Sequence, residues 1–160
     1  MPQQRFTGVE AVRGKAVVGR LLRGSDLILG LEGVCDQHGI NYGAIQFAYG
    51  SLARAQFKVL SPSGDDQTAR LIDQLVDDRV EFFGGQGLIC RDGEGKRATH
   101  LHGSVSDRTG RVTGGHFVAG MNPIYNNLDY LVVELGGVEL VRRYDQETGT
   151  VEMEVGSLEQ

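Results

Sequence analysis

The sequence contains no tryptophan, three prolines and two cysteines in 160 residues. Cys35 and Cys90 are far apart and show no metal-type spacing, so the fold does not rest on a disulfide framework. Cysteine use of this kind fits a reducing compartment, and a cytoplasmic location is the expectation. No apolar run approaches the roughly 18 residues that span a bilayer. The opening Met1-Pro2-Gln3-Gln4-Arg5 lacks the apolar stretch of a secretory signal. Basic residues are also in short supply, 16 against 21 acidic ones, for a net charge of −5. The nearest thing to a basic cluster is Arg13, Lys15, Arg20 and Arg23. On a strand Arg13 and Lys15 share one face and Arg20 takes the other, so no stripe forms for a phosphate backbone.

Glycine is abundant. The 24 glycines are about twice the usual share and suit a chain with many turns and bulges. Hydrophobic residues at 40% and charged residues at 23% describe a folded globular chain. No repeat or linker divides it, and a single domain over 1–160 is expected, with a core of about 12–155. Strands are read at Val12 to Leu22, Tyr42 to Ala48, Ala53 to Leu60, Val80 to Cys90, Thr99 to Ser106, Arg111 to Gly120, Leu128 to Leu135, Glu139 to Tyr144 and Val151 to Val155. A helix opens after Gly24-Ser25-Asp26, with Ser25 or Asp26 as N-cap, and stops at Gly39. A loop is read at Ser61-Pro62-Ser63-Gly64, and a short helix at Leu71, Ile72, Leu75 and Val76. The expected fold is α+β: a mostly antiparallel or mixed sheet with a few helices packed on one face.

The chemistry concentrates in the histidines. His100-Leu101-His102 places two imidazoles on one face of a strand, because side chains alternate with period two. Asp107-Arg108-Thr109-Gly110 reads as a type I turn ending in a left-handed glycine, the common three-residue hairpin loop with a bulge. That loop pairs Asp107 with Arg111, which puts His102 opposite His116 and His100 diagonal to it. A two-residue loop would instead turn His116 to the other face. Three neutral imidazoles suit zinc, and also copper, iron or nickel. With a position left open, they match catalytic zinc sites; a closed structural site would recruit a fourth ligand, for which Cys90, Asp107 and Glu81 are the candidates. Asp107 also fits the bland role of turn cap, and Ser104 that of support behind the ligands. His38, at the helix end, fits the helix dipole better than a metal.

The run Thr99-His100-Leu101-His102-Gly103-Ser104-Val105-Ser106-Asp107, with Gly110-Arg111-Val112 and Gly114-Gly115-His116-Phe117, resembles the plants-and-prokaryotes-conserved (PPC) domain. Leu22-Arg23-Gly24-Ser25-Asp26-Leu27 is similar to that family's helix start. Arg143-Tyr144-Asp145 with Thr148-Gly149 is similar to its closing turn. The likeness covers about residues 12 to 150. It implies a stand-alone prokaryotic member, since no Arg-Gly-Arg-Pro AT-hook is present. It implies a compact domain that assembles as a homotrimer and carries a metal, zinc by preference, at His100, His102 and His116. Two features depart from the family pattern: Val80-Glu81-Phe82-Phe83-Gly84-Gly85 replaces the usual Gly-x-Phe-Glu-Ile segment, and Asp129 stands where Glu is usual.

Three functions follow. The first is a metal-binding domain, hydrolytic if the metal's open position meets a base, for which Glu81 and Asp129 are the candidates. The second is a DNA-associated regulatory protein, implied by the family's plant members and opposed by the acidic charge. The third is a trimeric platform for protein interactions. Nothing in the pattern selects a reaction.

Overall fold

The computed structural model describes residues 5–61 and 70–158. These residues form β1 (Val12–Leu22), α1 (Leu27–His38), β2 (Gly43–Leu52), β3 (Ala55–Leu60), β4 (Leu71–Val76), β5 (Val80–Ile89), β6 (Arg91–Asp92), β7 (His100–Ser106), β8 (Val112–Phe117), β9 (Ile124–Gly136), β10 (Val138–Tyr144) and β11 (Val151–Ser157). Eight strands make one sheet in the order β1-β9-β2-β5-β7-β8-β3-β4, with every neighbouring pair antiparallel. A second sheet of three strands, β11-β10-β6, combines an antiparallel and a parallel pair. The fold is therefore rich in antiparallel sheet, as expected, but carries less helix than expected. Among the described residues no helix is long and apolar enough to cross a membrane.

The short helix expected at Leu71, Ile72, Leu75 and Val76 is instead the edge strand β4. It pairs with β3 from Ala55↔Val76 to Leu60↔Leu71. Apolar residues at such spacing in a run this short satisfy either period, and the unpaired edge of β3 decides the matter. From Pro62 onward, the loop expected at Ser61-Pro62-Ser63-Gly64 lies outside the described residues.

The one helix among the described residues follows its local signals. Asp26 is the N-cap: its Oδ1 accepts from the backbone N–H of Ile28 and of Leu29, each at 3.0 Å. The same carboxylate accepts from the N–H of Gly120 and of Asn122, so it ties the helix start to the segment between β8 and β9. Gly39 ends the helix at φ 65°, a conformation only glycine adopts without strain. Leu27, Ile28, Leu31 and Cys35 turn into the main core, where they join the inner face of the large sheet.

Three phenylalanines fill the middle of that core. Phe57, Phe82 and Phe117 are buried, with ring centroids 5.6 Å apart for Phe57–Phe117 and 5.2 Å for Phe82–Phe117. Each fully buried ring contributes about 2–3 kcal/mol. Leu101 and Val105 of β7 lie beside them, also buried. A smaller cluster of Cys90, Val138 and Leu140, with Tyr42, Leu88, Leu135 and Val155 against it, joins the small sheet to the large one. Both cysteines are buried and free.

Asn122 is a fully buried polar side chain in the interior. Its Oδ1 accepts from Gln56 N–H at 2.7 Å and its Nδ2 donates to the Val118 carbonyl at 2.6 Å. Replacing it with alanine strands two backbone groups in an apolar setting, which costs about 2–4 kcal/mol. Asn122→Ala is expected to lower the urea midpoint accordingly without changing the denaturant slope; an unchanged midpoint would show that water satisfies both groups.

Candidate metal centre

The hairpin turn sets the site. Asp107 N–H donates to the Arg111 carbonyl at 3.0 Å, and Gly110, at φ 80°, donates to the Asp107 carbonyl at 3.0 Å. The Asp107 carboxylate accepts from the Thr109 N–H at 2.8 Å, the Thr109 hydroxyl at 2.6 Å and the Arg111 N–H at 3.0 Å. This is the three-residue loop that the sequence predicts, and it fixes Ser106↔Val112, Ser104↔Gly114 and His102↔His116 as partners. Leu101, Val105 and Phe117 point into the core, so His100, His102 and His116 occupy the outer face.

The approach to β7 is held from behind. Arg97 donates to Asp36 at 2.6 Å and to the carbonyls of Ile40 and Asn41 at 2.7 and 2.8 Å, which anchors the chain to the end of α1. Thr99 N–H donates to the buried Glu32 carboxylate at 3.3 Å. These ties precede His100 directly and were not singled out from sequence. Gly114 has a clear steric reason. A Cβ there would stand 2.1 Å from the Gly103 carbonyl oxygen, so backbone approach, more than room for an imidazole, demands glycine.

The three imidazoles converge. Their ring centroids are 4.8, 4.8 and 5.2 Å apart, and one ring nitrogen from each lies within 4.8 Å of the others. Nε2 of His100 and Nε2 of His102 are 2.9 Å apart. A tetrahedral zinc with Zn–N bonds of about 2.0–2.1 Å needs donors roughly 3.4 Å apart, so small side-chain rotations bring all three within reach. Burial pushes the imidazoles of His100 and His116 down to about 4. The positive charge of Arg142 and the neighbouring imidazoles act in the same direction. His102 is lowered too, by burial and by Arg142. The rings are therefore neutral at physiological pH, with lone pairs free to coordinate.

The sheet face on either side is open. A depression of about 480 Å³ is lined by Gln46, Gln86, Leu88, His100 and His102. A second, of about 430 Å³, runs past Phe47, Tyr49, Phe83, His102 and Ser104. The other residues proposed from sequence lie elsewhere. Glu81 pairs with Ser106, four residues along β7 from His102, or about 13 Å. Asp129 is on β9, three strand spacings from β7, or about 14 Å. Asp107 is occupied in the turn and Cys90 is fully buried. None of these joins the three-histidine group. His38 lies in the last turn of α1, away from the site, and its carbonyl accepts from Lys15 Nζ.

Residues 9–136 match the Plants and Prokaryotes Conserved (PCC) domain family. The chain belongs to this family. The PCC chain is 32% identical over 136 residues to the bifunctional protein GlmU of Synechococcus sp. (strain JA-3-3Ab). That match takes in 85% of this chain and 20% of GlmU, so the chain spans about a fifth of that curated relative. Among solved structures, a metal-containing protein of Archaeoglobus fulgidus superposes with a TM-score of 0.79 at 22% identity, over 92% of this chain and 99% of that one. A plant- and prokaryote-conserved protein of Pyrococcus horikoshii gives 0.78 at 19% identity, over 97% and 100%. At these identities the two structures establish the PCC fold.

The lowered imidazoles carry a pH consequence for the metal-free protein. Between pH 6.5, the ordinary histidine value, and about 4, the unfolded chain binds protons at His100 and His116 that the folded chain refuses. Stability therefore falls as pH drops through that window. Proton NMR of the metal-free protein is expected to show both rings still neutral at pH 5.5. Titration of both near 6.5 would mean that the rings are fully hydrated.

Proposed function

We propose that this PCC domain binds a divalent metal ion, zinc by preference, through His100, His102 and His116, and that it works as a homotrimer. One observation carries the reading: three neutral imidazoles converge within 4.8 Å on an open sheet face, with no other metal-ligating side chain in the group among the described residues. That the Archaeoglobus relative is a metal-containing protein supports it. A bound zinc supplies Lewis acidity. The chain's own contribution is a rigid donor triangle, set by the hairpin register, and an open side where a ligand enters.

Self-association is supported by the same sheet face. Val18, Tyr49 and Phe83 are 74%, 49% and 55% exposed there, although Ala48 and Phe82, next to the last two on the inner face, are buried. Apolar groups left bare in this way mark an interaction surface.

Metal content per chain, read by mass spectrometry, tests the first half. About one ion per chain is expected, falling to near zero in His102→Ala. Dialysis at stepped pH is expected to retain the metal until pH falls below about 5, because protons do not compete at the lowered imidazoles. No uptake even after incubation with zinc would sink the reading. Sedimentation tests the second half: a species of three times the 17.4 kDa chain mass is expected, and Phe83→Asp should shift it towards monomer. A monomer at all concentrations would remove the trimer.

A further inference from the structure

β2 and β5 separate in the middle of the large sheet. Their ladder pairs residues 43–45 with 87–89, and residues 50 to 52 with 80 to 82. Between these stretches, residues 46–49 and 83–86 face each other without a pair. Fraying does not explain the gap, because both stretches are held on their other sides. Phe47, Ala48 and Tyr49 pair with Leu131, Tyr130 and Asp129 of β9, and Gly84, Gly85 and Gln86 pair with Ser104, Gly103 and His102 of β7. Each strand carries a bulge at the gap: Gln46 is the extra residue against β9, and Phe83 is the extra residue against β7. A bulge bends its strand, adds local twist and re-aims a side chain. Two of them on facing strands part the ladder.

The recess of about 480 Å³ lies at the histidine end of this split, lined by Gln46, Gln86, Leu88, His100 and His102. Its size suits a small molecule. Gln86 is the cross-strand partner of His102, and in the ladder's register Gln46 stands across the split from Gln86. Both glutamines are exposed, and neither side-chain amide has a hydrogen-bond partner among the described residues. Among the described residues no Asp, Glu, Lys or Arg lines either recess of the split. Such a lining gives an ion no counter-charge. A carboxamide instead presents a donor and an acceptor side by side in one plane, which complements another amide edge. Leu88 adds an apolar wall for a ring. We infer that this recess binds a small uncharged molecule with an amide-like edge, a primary carboxamide or a lactam ring, held by Gln86 and Gln46 beside His102. Tyr49 and Phe83, the exposed aromatics of the proposed contact between copies, stand three residues further along β2 and β5, about 10 Å away. The two uses therefore take different ends of the split. The recess is built by the strands, so it does not depend on the metal reading.

The test titrates the metal-free full chain with nicotinamide, a planar carboxamide, and with uracil, a lactam-type ring. Proton–nitrogen NMR follows the side-chain amides of Gln46 and Gln86. Nicotinate, the nicotinamide ring with a carboxylate in place of the amide, is the control. Saturable shifts of both glutamine amides are expected with at least one of the two amides, and nicotinate should bind about tenfold more weakly or not at all. Gln86→Met and Gln46→Met keep the length of the side chain and remove its amide, and each should weaken binding about fivefold. Gln74→Met, at an exposed position on β4, should leave it unchanged. Circular dichroism shows whether the variants are folded, and if one is not, the other decides. No shift at the glutamines with either amide, equal affinity for nicotinate, or wild-type affinity in both variants of the split overturns the site. Metal content is measured separately, so the metal reading can fail while this site stands, and the reverse.

Discussion

A sheet gives each residue of a strand one face or the other, and in the hairpin of β7 and β8 that choice is made by three residues, Arg108 to Gly110. With Gly110 in the left-handed region and Asp107 collecting three donors, the ladder runs Ser106↔Val112 down to His102↔His116. One residue more or fewer would send His116 into the space of Phe117 and drive Phe117 into water. The core and the site therefore specify the same register from opposite sides. Burial of Leu101, Val105 and Phe117 fixes the inner face, and the histidines take what remains.

The apolar layer behind the site also shapes its electrostatics. Imidazoles seated on a sheet whose other face is dry lose part of their hydration, and Arg142 adds to the cost of protonating them. The surroundings of the histidines are thus poor in charge-stabilising partners. They favour neutral imidazoles.

Much of this was legible from residue order. The β1 span, the Asp26 and Gly39 caps, the hairpin turn and the His102↔His116 pairing all follow from local signals: period two, capping chemistry and a turn that needs a left-handed glycine. What escaped was non-local. β4 reads as a helix until β3 supplies a partner. Lys58 reads as one more residue on a wet face until β3 lands beside β8. Arg142 precedes the stretch that resembles a closing turn, and its effect on the histidines is visible only in the folded chain. Arg97 gave no periodic signal at all, because its partners are carbonyls and an aspartate at the end of α1.

The pairing of β1 with β9 joins Val12 to Gly136, about three quarters of the chain apart, and such contacts are slow to find. The three imidazoles need nothing of the kind. They sit on two strands joined directly, between His100 and His116. A donor set confined to one contiguous hairpin has its register set locally, by its own turn, while the core behind the same two strands holds that register in place.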